Sequence, residues 1–153
     1  MRLLKQTISL ILFCFLPFIV FAQNNSSAES ALVYSAEDKG LEWVPCPEFM
    51  PESCRVSVLH GNPANPNTDI FFKLQGNTSV PEHTHTSAER MVLVSGKLEV
   101  DYEGQQADHM TAGNYGYGPS EKPHSASCVS DEPCVLFIAF EEPIDAFPVN
   151  GQN

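Results

Sequence analysis

Positive charge is what this chain has least of. Eight Lys and Arg stand against 19 Asp and Glu, giving a formal net charge of −11 at pH 7. Such a surface repels phosphate backbones and anionic headgroups, which excludes nucleic acid and anionic lipid as partners and leaves solubility as the ordinary meaning of the charge. Long apolar runs are scarce too. The one present, "ISLILFCFLPFIVFA", is 15 residues long and is interrupted by Pro17; a membrane helix needs about 20. No window of ten or more residues carries a helical apolar stripe, and no segment repeats another, so neither helical architecture nor a duplicated chain is expected.

The apolar run reads as a targeting segment. Arg2 and Lys5 precede it, and Val20 and Ala22 occupy the small-residue positions before a signal-peptidase cut. Cys14 lies inside the run and follows Phe13, which excludes a lipoprotein cut. We expect a signal peptide over 1–22, a flexible leader over 23–34 ("QNNSSAESA" is small and polar) and one domain over 35–153. Export places the mature chain in the periplasm or outside the cell, with no stable membrane association after cleavage. An uncleaved anchor is the alternative.

With Cys14 removed, Cys46, Cys54, Cys128 and Cys134 remain. An even count in an exported chain favours disulfides, for which three connectivities exist. Local pairing, Cys46 with Cys54 and Cys128 with Cys134, is preferred because each pair brackets a turn-like stretch, "PEFMPES" and "VSDEP". Neither pair has the two-residue spacing of a zinc knuckle, so a thiolate metal site and free buried thiols rank behind the bridges.

What the chain has in quantity is short β-type segments bounded by Gly, Pro, Asn or Asp. "LEWVPC", "RVSVLHG", "DIFFKLQG", "RMVLVSG", "KLEVDYEG" and "CVLFIAFEEP" are rich in Val, Phe, Tyr and Leu. The domain is therefore expected to be all-β, a sandwich or barrel. In "KLEVDYEG", Leu98, Val100 and Tyr102 share one face while Glu99, Asp101 and Glu103 share the other, as in a half-buried strand. The tight Ser95-Gly96 step predicts an antiparallel hairpin with the preceding strand.

Chemistry concentrates in "EHTHTSAE". On an extended segment His83 and His85 point the same way, and Glu89 has the same parity at the start of the next strand. Two imidazoles and a carboxylate on one face suit a divalent transition metal. The stretch "GNYGYGPSEKPH" supplies His124. If the sheet folds back to bring it to the same point, three His and one Glu leave positions open for a ligand. A polar turn that happens to contain imidazoles is the bland alternative. His60, before a Gly-Asn-Pro turn, and His109, in the spacer between the two stretches, are expected at the surface. Tyr115 and Tyr117 share a parity, and Tyr117 is a candidate proton donor to a substrate, with a core role as the alternative. Arg90 is turned away from the metal by alternation. Trp43 and the neighbouring prolines are expected to cover one end of the domain, with a disulfide-pinned N-terminal flap as the bland alternative.

Together these motifs resemble those of the cupin superfamily of small double-stranded β-helix (jelly-roll) barrels. "HTHTSAERMVLVSG" supplies His83, His85, Glu89 and Gly96 of the first cupin motif; Gly113, Pro119 and His124 match the second. Glu121 stands where the family usually has Gly, and Cys128 where it often has Asn. The resemblance implies an all-β cupin barrel and one divalent metal (Fe, Mn, Zn or similar) on His83, His85, Glu89 and His124. It also implies a small-molecule ligand or substrate and a possible homodimer; Glu89, beside its ligand role, and Tyr117, from its parity, are the catalytic candidates. The family spans dioxygenases, isomerases, lyases, decarboxylases and non-catalytic binding modules, so the resemblance favours oxidative chemistry only narrowly.

Overall fold

The structure, a computed structural model, describes residues 29–149. The expected signal peptide and most of the leader fall outside that range. The chain divides into a unit of residues 1–32, of which only residues 29–32 are described, and a compact unit, Val33–Asn153.

The described residues form no helix. Their strands, in chain order, are β1 (Val44–Pro45), β2 (Arg55–His60), β3 (Thr68–Leu74), β4 (Thr78–Thr84), β5 (Glu89–Ser95) and β6 (Lys97–Tyr102). β7 (Asp108–Thr111), β8 (Tyr115–Gly118), β9 (His124–Cys128), β10 (Cys134–Phe140) and β11 (Phe147–Pro148) follow. They build two antiparallel sheets, ordered β1-β2-β3-β10-β5-β8 and β11-β4-β9-β6-β7. This is the expected all-β jelly-roll barrel.

Alternation decides what lies between the sheets. Ile70 and Leu74 of β3, Met91 and Leu93 of β5, Leu98 and Val100 of β6, and Leu136, Ile138 and Phe140 of β10 are all buried and point inward. Each fully buried aliphatic side chain contributes about 1.5–3 kcal/mol relative to an exposed one. One end of the barrel is solid, with Leu74, Leu93, Cys128 and Cys134 at 0–1 % exposure. The other end holds a cavity.

Both disulfides form as expected. Cys46–Cys54 closes the segment before β2, with Cα atoms 5.5 Å apart; Cys128–Cys134 joins the end of β9 to the start of β10 across 5.7 Å. Two bridges in so small a domain fit an oxidising compartment.

The predicted hairpin does not form. β5 pairs with β10 and β8, while β6 pairs with β9 and β7, so Ser95 and Lys97 belong to different sheets. Gly96 (φ 84°) turns the chain across the barrel's solid end instead of folding it back. A side chain there would also strike Cys134, with Cβ 2.7 Å from its Sγ. The step selects glycine as a hairpin turn would, and only the pairing distinguishes them.

Two irregularities bear on the site. β4 contains Pro81, and its pairing with β9 shifts register between Val80 and His83. The extra residue reverses the alternation, so Val80 and His83, an odd number of positions apart, are both buried. The second is Glu121, at φ 60° in the left-handed region, where it donates its backbone N–H to the His85 carbonyl at 2.7 Å. The turn keeps the conformation that glycine would adopt freely, at a cost of about 1–2 kcal/mol for an L side chain. Glu121→Gly is therefore expected to gain about 0.5–1 kcal/mol net of glycine's greater unfolded-state entropy. A urea melt measures this, with the midpoint rising at unchanged slope.

Candidate metal centre

Four polar side chains converge at the hollow end. His83 lies near the end of β4, His85 just beyond it, Glu89 opens β5 and His124 opens β9. Their register places them together: His83 pairs across to His124, and Glu89 lies between Phe140 of β10 and Gly118 of β8. All four are buried, at 4–8 % exposure. The imidazole centroids are 4.3 Å apart for His83 and His124, 4.8 Å for His83 and His85, and 5.3 Å for His85 and His124.

The backbone fixes which nitrogen each imidazole offers. His83 Nδ1 donates to the Pro81 carbonyl at 2.8 Å, His124 Nδ1 to the Lys122 carbonyl at 3.0 Å, and His85 Nδ1 to the Asp145 carbonyl. A carbonyl only accepts, so each Nδ1 carries the proton and each Nε2 keeps its lone pair free. His85 Nε2 lies 3.4 Å from Glu89 Oε1, and His124 Nε2 lies 3.6 Å from Glu89 Oε2. These spans are long for hydrogen bonds. They match two donors sharing one ion, since ligands held at about 2.0–2.1 Å in a tetrahedral arrangement sit about 3.4 Å apart.

Electrostatics point the same way. Burial, reinforced by the neighbouring imidazoles of His124 and His85, lowers the pKa of His83 to about 3. Burial also lowers His85 and His124, against the raising effects of Asp145 and Glu89 respectively. Burial raises Glu89 to about 7, partly offset by His124. Neutral imidazoles facing a desolvated carboxylate form a donor set that a divalent cation would satisfy. The His83, His85 and His124 donor atoms lie within 4.8 Å of one another, so the three-histidine cluster can hold a metal ion.

The chain's far end supports the cluster. β11 pairs with β4 beside His83, and the Asp145 carboxylate accepts hydrogen bonds from the Thr86 backbone N–H, at 2.8 Å, and from its hydroxyl. Ser87 Oγ accepts from the backbone N–H groups of Glu141 and Glu142 at 2.9 and 3.0 Å, pinning the loop between His85 and Glu89. Sequence spacing gives no sign of these contacts, which join residues more than 50 apart.

Tyr117 is not brought to the site. It pairs with Arg90, one position out of phase with the inward-facing Glu89–Gly118 pair, and is 52 % exposed. The phenol at the centre is Tyr102, stacked on His124 at 4.9 Å, its buried hydroxyl without a protein hydrogen-bond partner. Burial, and secondarily the Glu89 charge, push its pKa upward, so it stays protonated. Its shared parity with Leu98 and Val100 was the signal that could have found it. Arg90 faces outward and pairs with Glu141. His60 and His109 are exposed, the latter 3.6 Å from Glu99. Trp43 packs under Lys73 and not over the cavity; from that region Cys46, Pro47 and Met50 line it.

Gly118 makes the close packing possible, since a Cβ there would lie 2.5 Å from the Tyr102 hydroxyl and 3.0 Å from Glu89 Oε2. Gly118→Ala should displace Glu89 and weaken metal binding by about 10-fold, the scale of a perturbed supporting shell. Competition with a chromophoric chelator measures it.

The model of the ChrR cupin-like domain family matches residues 33–143. No curated protein matches the sequence. Among solved structures, the fold is similar to that of the DMSP lyase DddQ from Ruegeria pomeroyi DSS-3 (TM-score 0.64, 15 % identity, 73 % of this chain and 64 % of that one). It is similar to the polyketide cyclase RemF from Streptomyces resistomycificus (TM-score 0.64, 16 % identity, 80 % and 89 %). It is also similar to a variant of the Bacillus subtilis oxalate decarboxylase OxdC (TM-score 0.56, 18 % identity, 65 % and 29 %). At these identities the likeness concerns the fold alone. The chain spans just under two thirds of the lyase and less than a third of the decarboxylase.

Proposed function

We propose, from the premise that this chain belongs to the ChrR cupin-like domain family, that it is an exported, metal-dependent cupin enzyme acting on a small organic substrate. The observation that carries the reading is the convergence of His83, His85, His124 and Glu89, three free Nε2 lone pairs and one carboxylate, at the wall of a cavity. These four would hold one divalent transition metal. When bound, such an ion supplies Lewis acidity or, with iron, the redox chemistry of dioxygen.

The chain's own residues do the rest. Pro81, Lys122 and Asp145 hold the imidazoles in their ligating tautomer through backbone carbonyls. Glu89 would serve the ion as a ligand or, swung off it, accept a proton on a carboxylate oxygen and release it again. The apolar walls keep water from competing with the substrate. Enzymatic cupins among the fold neighbours, a lyase, a cyclase and a decarboxylase, are compatible with catalysis. Dioxygenase-like chemistry, placed ahead of isomerisation or elimination, rests on the cupin resemblance.

A non-catalytic ligand- or metal-binding module is the second reading. One observation favours it: among the described residues no ionisable side chain other than the candidate ligands and Asp145 lines the cavity, so apart from the Tyr102 phenol behind His124 only Glu89 would serve as acid and base. Oxygen uptake and product analysis with metal-loaded protein, across phenols, ketones and organic acids, separate the two. Uptake with product formation is expected. Product without uptake selects lyase or isomerase chemistry, and bound metal with every compound unchanged selects the binding module.

A further inference from the structure

The cavity that the candidate ligands face has a volume of about 160 Å³. An apolar cavity of about 150 Å³ accommodates benzene, so a single ring or a chain of similar bulk fills this one. Its walls are hydrocarbon. Phe72, Val80, Leu98, Val100, Leu136 and Ile138, drawn from both sheets, are among its lining side chains.

Among the described residues, no Lys or Arg lines the cavity. Of the six such residues in the described chain, Arg55 donates to the carbonyls of Glu52 and Cys54, Lys73 lies over Trp43, and Arg90 pairs with Glu141. Lys39, Lys97 and Lys122 also lie outside it. The acidic groups are Glu89 and Asp145, and the Asp145 carboxylate is already taken by Thr86. A dication held by one carboxylate and three neutral imidazoles retains a single positive charge, which one anionic head would balance. A second charge on the ligand body would be desolvated against aliphatic side chains with no partner, which costs several kcal/mol.

We propose that the cavity selects ligands with one polar head, directed at the histidine cluster, and an uncharged hydrocarbon body of about one ring, and that it rejects dianions and zwitterions. The head's placement rests on the metal reading above; the body's chemistry does not.

The test uses the full chain in two states. Loaded with Co(II), its visible absorption is titrated with acetate, butanoate, benzoate, succinate and 3-aminopropanoate. The last replaces the methyl group of butanoate by an ammonium. Benzoate is expected to bind at least tenfold tighter than acetate, and succinate and 3-aminopropanoate no tighter than acetate. Ala126→Leu, which adds bulk to a lining position, should shrink the preference of benzoate over acetate at least tenfold. In the metal-free state, benzene should raise the melting temperature. Succinate or 3-aminopropanoate binding as tightly as butanoate, or benzoate no tighter than acetate, would overturn the proposal and leave the metal reading intact. Failure to take up Co(II), with benzene still stabilising the protein, would remove the metal reading and retain the apolar site. Failure of both arms removes both.

Discussion

Glu89→Gln is expected to make the metal-free protein more stable and the metal-binding protein worse. Glu89 is 4 % exposed, and burial raises its pKa from 4.5 to about 7. Because the folded-state pKa lies above the unfolded one, the folded chain is favoured through this group below about pH 4.5 and loses that advantage as pH rises through about 7. At pH 8 the loss is complete and amounts to about 3 kcal/mol. Gln is neutral throughout and nearly isosteric, so the variant avoids it. The histidines are common to both proteins and largely cancel in the comparison. Calorimetric melts of metal-free protein should therefore show Glu89→Gln more stable at pH 8, by about 10 °C for a domain of this size, and equal to the parent near pH 4. Greater stability of the parent at pH 8 would mean that the carboxylate is already paired with a cation supplied by the chain itself.

With metal present the sign reverses. Removing the one negative ligand leaves a buried cation undercompensated, on the scale of about 3–5 kcal/mol, or a loss of affinity of about 10²–10⁴-fold. A residue that destabilises the empty fold and strengthens the loaded one is kept for what it binds.

Metal addition itself should give the other large effect. An ion that binds only the folded chain, at a free concentration 1,000 times its dissociation constant, stabilises it by about 4 kcal/mol. Adding Zn(II) or Mn(II) to metal-free protein should raise its melting temperature by more than 10 °C on the same conversion. In His124→Ala the rise should vanish, because one of the three imidazoles that meet within 4.8 Å is gone. Substituting exposed His109, which is 70 % accessible at the side chain, should leave the rise unchanged. An equal rise in all three proteins would mean that the ion binds elsewhere.

Much of the site could be read from spacing because its chemistry needs few residues in simple phase. His83 and His85 are two apart and share a face, and Glu89 follows at the start of the next strand. The all-β architecture was equally open to reading where both faces of a strand differ in polarity, as in β6, or where a strand is apolar throughout, as in β10. The second sheet was harder. β4, β9 and the flanking β7 carry Thr, Ser, Asp and His outside and few branched apolar side chains, and β4 holds a proline at its bulge. Strand propensity is weak there and tertiary pairing decides. Tyr117 was misread because its phase depends on Glu89 pairing with Gly118, a register that no local pattern sets. The Ser95–Gly96 step was misread for the same reason, since a corner between sheets and a hairpin select the same residue. The hold of Asp145 on His85 and Thr86 spans about 60 positions and leaves no periodic trace.

The most direct test is elemental analysis of the full chain purified without oxygen or chelators, beside its His124→Ala variant. One divalent transition metal per parent chain is predicted, with less than a tenth of that in the variant. A parent that holds no metal even after incubation with Fe(II), Mn(II) and Zn(II), or a variant that holds as much as the parent, would contradict the account.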